Sequence, residues 1–252
     1  MKNKKQYITE LQKQLKSLST IQKAKASERY FPHGVNCLGV NAVDIKSIII
    51  DFHKNNIDLD PAEILDITEQ FLKVAVYNEE VLLAFGLLNK LSKQHFDDSL
   101  LLRFEYWLGH YVENWSQCDD LCMKTIYQFM LSRPHLIESV QQWSFSTNPW
   151  LRRASNVVWV KFIKRKMGKN TYYLNKQLVF QNCDLLLEDS DEFVQKSVGW
   201  LLKVTAAHHQ DDVVQYLYDN HTTMWRHTIR YAIEKMEPDL RKQILSLKHN
   251  KQ

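Results

Sequence analysis

The segment Glu113-Asn114-Trp115-Ser116-Gln117-Cys118-Asp119-Asp120-Leu121-Cys122 gathers the side chains best suited to chemistry. A helix beginning near Asn114 places Trp115 and Asp119 four residues apart, on one face. An indole beside a carboxylate stabilises a cationic, sugar-like centre, the ring through its quadrupole and the carboxylate through its charge. The same spacing suits a tryptophan packed in the core with Asp119 and Asp120 facing water, and spacing alone favours that plainer arrangement. Cys118 and Cys122, also four apart, would present two thiolates to a metal. No second Cys or Cys/His pair completes a tetrahedral set, and Cys37 and Cys183 lie far off in sequence. Buried, reduced thiols are the expectation, with no metal bound. No P-loop, Gly-x-Gly-x-x-Gly, His-Glu-x-x-His or Gly-x-Ser-x-Gly motif is present, so any catalysis rests on carboxylates and aromatic rings.

Helices must position these groups. The 252 residues include only 6 Gly and 5 Pro, too few to punctuate a β-sandwich or a Gly-rich nucleotide-binding fold. Apolar residues recur at helical spacing nearly everywhere: Ile8, Leu11, Leu15 and Leu18, then Ile45, Ile48, Ile49 and Phe52, then Ile64, Ile67, Phe71 and Val74. Asp60-Pro61 and Asn148-Pro149 read as N-cap and first helical residue, and Asp97, Asp191 and Thr222 as further caps. The one long irregular piece is 31–40, with Pro32, Gly34 and Gly39. No linker divides the chain, so residues 1–252 read as a single domain of about twelve to fourteen helices without strands.

An internal repeat refines this. Asn148-Pro-Trp-Leu-Arg-Arg153, Asp191-Glu-Phe-Val-Gln-Lys196 and Thr222-Thr-Met-Trp-Arg-His227 superpose residue for residue, each a cap, an apolar pair and a polar or basic pair. They are separated by 43 residues (153 to 196) and 31 residues (196 to 227). Periods of roughly 30–47 residues with two helices per unit indicate an all-α, HEAT-like helical-repeat solenoid, curved and built by stacking helix pairs that cannot bury both faces alone. Equivalent positions in a solenoid line one concave face. Arg152, Arg153, Lys196, Arg226 and His227 would then form a basic track for phosphates at helix N-termini, with Lys161, Lys164, Arg165, Lys166 and Lys169 beside it. Taken singly, each is an ordinary surface charge. The formal net charge of +4 permits a nucleic acid partner without requiring one. The stretch Met1-Lys2-Asn3-Lys4-Lys5 lacks the apolar run of a signal peptide, and no apolar run reaches about 18 residues, so the expectation is a cytoplasmic protein without a membrane partner, with a monomer as the default.

Five segments in order resemble the AlkD-like, HEAT-repeat DNA alkylation repair glycosylases. The stretch from Ala26 to Val40, ending Leu38-Gly39-Val40, is similar to the family's opening helix and loop. Trp115 followed by Asp119 is similar to its central Trp-x-x-x-Asp, and Trp150-Leu-Arg-Arg153 with a long amphipathic helix after it to its phosphate-contacting arginine segment. Phe193 to Leu202, with Lys196 and Gly199-Trp200, resembles its lysine-to-tryptophan helix, and Arg226 to Lys235 its C-terminal repeat. The resemblance implies that Asp119 is the catalytic carboxylate, that Trp115 and Trp200 flank the deoxyribose of a lesion, and that Arg153 fixes the backbone of double-stranded DNA. It departs from the family where a founding member has paired tryptophans and this chain has Asn114-Trp115, and where Asp120 adds a second acid. The implied reaction is hydrolysis of the N-glycosidic bond of purines alkylated at N3 or N7. Such a base is already cationic and leaves without a general acid, so no cofactor, metal or lysine nucleophile is needed and no strand is cut. Selection would rest on backbone contacts and duplex deformability rather than on a deep base-flipping pocket. The same solenoid also suits a non-catalytic binder of DNA structures, or a protein-binding scaffold whose concave face would be apolar or acidic.

Overall fold

Short polar side chains in extended backbone set half of the described α-helix starts. In the computed structural model, which describes residues 2–248, Asp60 accepts from Glu63 N at 2.8 Å while Glu63 accepts from Asp60 N at 3.0 Å, closing a capping box in front of Pro61. Asn148 accepts from Trp150 N at 2.8 Å, and Asp191 from Phe193 N and Val194 N at 2.8 and 3.0 Å. Thr222 is not a cap: it lies in a turn, and the next helix starts at Arg226 behind Trp225. The third repeat therefore begins three residues later than its sequence suggests. Asp97 acts through Ser99, whose N–H it accepts at 2.9 Å. Met1 of the basic N-terminal stretch lies outside the described residues.

The chain divides into two compact units, residues 1–132 and 133–252. The first contains α1 (Lys4–Leu18), α2 (Ile21–Glu28), α3 (Ala42–Asn55), α4 (Pro61–Leu72), α5 (Asn78–Leu88), α6 (Leu100–His110) and α7 (Trp115–Asp120), which continues through a π turn (Leu121–Ile126) into α8 (Tyr127–Met130). Helix α4 pairs with α5, α1 packs on α4, α3 on α5, and α5 meets both α7 and the π turn. At the centre, Phe85 stacks on Trp107 at 6.0 Å and Phe104 meets Trp107 and Phe129 edge-on, all four fully buried. Burial of each such ring contributes about 2–3 kcal/mol.

The second unit contains 3₁₀ turns at Pro134–Leu136 and Glu138–Phe145, α9 (Pro149–Val157), a 3₁₀ turn at Val158–Lys161, strands β1 (Lys164–Met167) and β2 (Asn170–Tyr173), α10 (Lys176–Leu186), α11 (Glu192–Ala206), α12 (Gln210–Asn220), α13 (Arg226–Ala232) and α14 (Pro238–Leu245). The three repeat segments are α9, α11 and α13, and they pack in series, α9 on α11 and α11 on α13. Gly199 permits the second contact, because a Cβ there would lie 2.7 Å from Thr228 O. Buried polar groups lock the register: Asn156 donates to Ser197 Oγ at 2.9 Å, Asn182 to Asn156 Oδ1 at 2.8 Å, and Thr228 to Gln195 Oε1 at 3.0 Å.

The expected absence of strands is corrected by β1 and β2, an antiparallel hairpin pairing Lys164 with Tyr173 and Met167 with Asn170. It turns at Gly168, whose φ of 62° suits a two-residue hairpin loop. The helix that starts at Pro149 is correspondingly short, and the basic cluster 164–169 sits on the hairpin rather than on a long helix. No described helix is long and apolar enough to cross a membrane.

Candidate functional site

Asn114 builds the start of α7. Its Oδ1 accepts from Gln117 N at 3.1 Å and its Nδ2 donates to Asn78 Oδ1 at 3.1 Å, which ties the first turn of α7 to that of α5. Gln117 and Cys118 then turn into the core, leaving Trp115, Ser116, Asp119 and Asp120 half-buried on the outward side. Trp115 is not a core residue. Its Nε1 donates to Tyr30 O at 3.1 Å, and its ring stacks on Phe31 with centroids 5.4 Å apart and planes 22° apart.

The two acids differ. The Asp120 carboxylate is 11% exposed and forms an ion pair with Lys124 one turn on. Burial pushes its pKa up, Lys124 pulls it down, and the charge of Asp119 raises it again. Asp119 is half-buried one turn from Trp115. Beyond Asp120 the helix widens into the π turn, a feature common near functional sites. Thr125 Oγ1 donates to Phe85 O and Ser92 Oγ to Thr125 O, both at 3.1 Å, which fixes the widened turn to α5. Cys118 and Cys122 are buried within this stretch, and among the described residues no group of three or more His, Cys, Asp or Glu side chains is placed to hold a metal ion.

Sequence reasoning missed Glu79. Its carboxylate accepts from Leu38 N (2.9 Å), Gly39 N (2.8 Å) and Val40 N (3.1 Å), three successive amides of the irregular 31–40 segment. Phe31, Cys37, Val40, Glu79 and Trp115 border one cavity of about 220 Å³. No spacing rule links residue 79 to residues 38–40, so the sequence held no signal for it.

In the second unit the predicted cations fall into two groups. Arg152 forms a bidentate pair with Asp189, 2.5 and 3.1 Å, and also donates to Ser146 O and Thr147 O. Arg153 is 5% exposed and donates to Phe193 O. Arg226 donates to Leu245 O at 2.6 Å, closing the end of α14. Lys161 is half-buried at the end of its 3₁₀ turn. By contrast, Lys196 and Trp200 lie on the narrow outward stripe of α11, where 193–195, 197–199, 201 and 202 are all buried. Lys203, seven residues after Lys196, continues that stripe. It was missed in the sequence although its helical spacing could have revealed it. Lys196 pairs with Glu192 at 2.6 Å and covers the Phe193 ring, and Lys203 pairs with Glu234 at 3.1 Å and covers Tyr231. His227 of α13 sits within reach of the charge of Lys196, which together with burial lowers its pKa.

Residues 11–236 match the model of the family described as DNA alkylation repair enzyme. The structure is similar to a predicted DNA alkylation repair enzyme from Enterococcus faecalis, with a TM-score of 0.74 and 14% identity over 87% of this chain and 97% of that one. It is similar to AlkD2 from Streptococcus mutans, with a TM-score of 0.62 and 19% identity over 93% and 100%. It is also similar to Pseudomonas fluorescens alkylpurine DNA glycosylase AlkC bound to DNA containing an abasic site analog, with a TM-score of 0.53 and 14% identity over 96% and 66%. No curated protein matches the chain. The fold is the all-α, helical-repeat fold of these proteins.

Proposed function

Because the chain belongs to the family of DNA alkylation repair enzymes, we propose that it is a DNA glycosylase that hydrolyses the N-glycosidic bond of cationic N3- and N7-alkylated purines in duplex DNA. The family match crosses both units, which supports reading the chain as one functional domain. The observation that carries the reading is the outward face of α7, where the half-buried Asp119 stands one turn from Trp115. Departure of an alkylpurine leaves positive charge on the deoxyribose. A carboxylate placed beforehand near that sugar stabilises the oxocarbenium-like state and orients the attacking water, and an indole face adds its quadrupole. Trp200 is the second aromatic in this scheme.

Lys196 and Lys203, with Lys161, are proposed to meet phosphates. The Lys196–Glu192 pair is exposed and weak in water, so exchanging Glu192 for a phosphate costs little, whereas Lys203 is the more enclosed of the two lysines. Arg153, bonded to Phe193 O in the first turn of α11, would support that surface from within, and Arg152 and Arg226 would add charge beside it. Neither a metal nor a cofactor is required, since the leaving base carries its own charge, and the enzyme acts as a monomer.

Single-turnover release of free 7-methylguanine from a duplex with one such base tests this. Asp119→Asn keeps the shape and removes the charge, and the release rate is expected to fall by about 10²-fold or more. Asp120→Asn should cost less. Equal rates for wild type and Asp119→Asn with a loss in Asp120→Asn would move the carboxylate by one residue. No release by the wild type, with duplex binding intact, would favour a non-catalytic DNA-binding role.

A further inference from the structure

Trp115 is held from outside its own helix, and the holder is itself held. The segment that supplies Tyr30 O and the Phe31 ring continues to Leu38-Gly39-Val40, where it is fixed to the first turn of α5. Four hydrogen bonds make the attachment: three amides onto Glu79, and Asn78 N onto Asn36 O at 2.7 Å. Glu79 is 4% exposed, so these amides are the main compensation for burying its charge. At the other side the segment is pressed onto α2. Gly39 has φ of 79°, and a Cβ there would lie 2.2 Å from Thr20 O, so only glycine allows the approach. Phe31, Glu79 and Trp115 border the same small cavity, so a shift of the segment has no intervening layer to absorb it before it reaches the indole.

We infer that Glu79 is a positioning residue for Trp115: its carboxylate latches the 30–40 segment, and the segment sets the plane and depth of the indole beside Asp119. This rests on the glycosylase reading only for its catalytic consequence. The latch itself is a statement about geometry. An acid in this role cannot be replaced by its amide, because glutamine offers one acceptor oxygen where three amide hydrogens converge and turns an N–H₂ donor toward them.

The test labels the full chain with 5-fluorotryptophan and follows its seven tryptophan signals by ¹⁹F NMR, the Trp115 signal being assigned by its loss in Trp115→Phe. Glu79→Gln is expected to shift or broaden the Trp115 signal and leave those of the fully buried Trp107 and Trp159 in place. Glu79→Asp keeps the charge on a shorter stem and should give a smaller change; it decides the matter if the glutamine variant does not fold. In parallel, Glu79→Gln should lower single-turnover release of 7-methylguanine by up to about 10²-fold, the scale of misplacing a catalytic neighbour, with affinity for undamaged duplex unchanged and activity partly restored in Glu79→Asp. An unmoved Trp115 signal in a folded variant, or an equal shift of all seven, would overturn the latch. If the wild type releases no base, the proposed activity fails while the fluorine signals still judge the latch.

Discussion

The two units use charge in opposite ways. In the first, Asp119 lies half-buried on the outward side of α7, one turn from Trp115, Asp120 is tied to Lys124, and Glu79 accepts from three backbone amides. In the second, Arg152, Arg153 and Arg226 are drawn inward to Asp189, Phe193 O and Leu245 O, and Lys196 and Lys203 occupy the outward stripe of α11, while Arg230 and Arg241 stay exposed. The guanidinium, planar and weakly hydrated, suits multiple fixed acceptors, whereas a strongly hydrated ammonium stays at the surface. A charged residue's type therefore says more about its use than its place in a repeat does. Arg153 and Lys196 hold equivalent places in the repeat, 43 positions apart, yet the first bonds Phe193 O from the interior and the second lies on the outward stripe of α11.

The largest effect expected from this contrast is on stability. Arg152→Ala leaves the Asp189 carboxylate, 7% exposed, without its partner, and removing one side of an enclosed pair costs about 3 kcal/mol. Lys196→Ala, which loses an exposed pair and the cover over the Phe193 ring, should stay within about 1 kcal/mol. Urea unfolding of the two variants measures both. An Arg152→Ala midpoint equal to wild type, with duplex affinity lost, would return that arginine to the DNA surface and undo the contrast.

Next in size is the aromatic contribution. Trp115→Ala and Trp200→Ala should each lower the single-turnover release rate by about 10-fold, the scale of one ring facing a desolvated cation, and by less than Asp119→Asn. Duplex affinity, measured by fluorescence anisotropy, should change little in either. A loss of binding without a loss of rate in Trp200→Ala would make that residue part of the phosphate stripe instead.

The stripe makes a smaller, graded prediction. Lys196→Ala and Lys203→Ala should each weaken binding to all duplexes alike and reduce the slope of log K against log salt by about 0.9. A change in sequence preference at constant slope would exclude phosphate contact for the lysine concerned.

Much of this was legible in the sequence. Asp60-Pro61, Asn148-Pro149 and Asp191 cap helices as their types dictate, and the apolar stripe around Ile8, Leu11 and Leu15 is buried, though Leu18 is 41% exposed. The i, i+4 relation of Trp115 and Asp119 needed only the cap at Asn114. The hairpin was not legible, because Lys164 to Met167 lacks the apolar alternation that marks a strand, and its partner Asn170 to Tyr173 is short. Thr222 misled because a Thr-rich turn and a helix cap share the same residue types. The direction of each arginine was out of reach as well. Arg152 finds Asp189, and Arg153 finds Phe193 O, about forty residues downstream, and adjacent side chains on a helix point to different sides.

The smallest effect separates the units through two histidines. Burial is the main cause lowering the pKa of both His53 in the first unit and His227 in the second. For His227 the charge of Lys196 lowers it further and Glu192 opposes; for His53 the Leu87 carbonyl opposes and Lys90 adds. A folded pKa below the unfolded value near 6.5 means that the unfolded chain binds the proton more readily. Stability is therefore full above about pH 6.5 and is lost as pH falls through the folded pKa of each ring. Asp120 contributes with the opposite sign: its raised pKa weakens the fold as pH rises past its ordinary carboxylate value, so the wild-type curve mixes the two and variants must separate them. Thermal midpoints at pH 8, 7, 6 and 5 should fall toward acid in the wild type and fall less in His53→Gln and in His227→Gln. Lys196→Ala should also flatten the acid limb, since it removes a charge that disfavours protonated His227, and this flattening should vanish when His227 is already glutamine. Curves parallel to wild type in His227→Gln would mean that the lysine stripe does not press on α13, and the contrast between inward arginines and outward lysines would lose its electrostatic consequence.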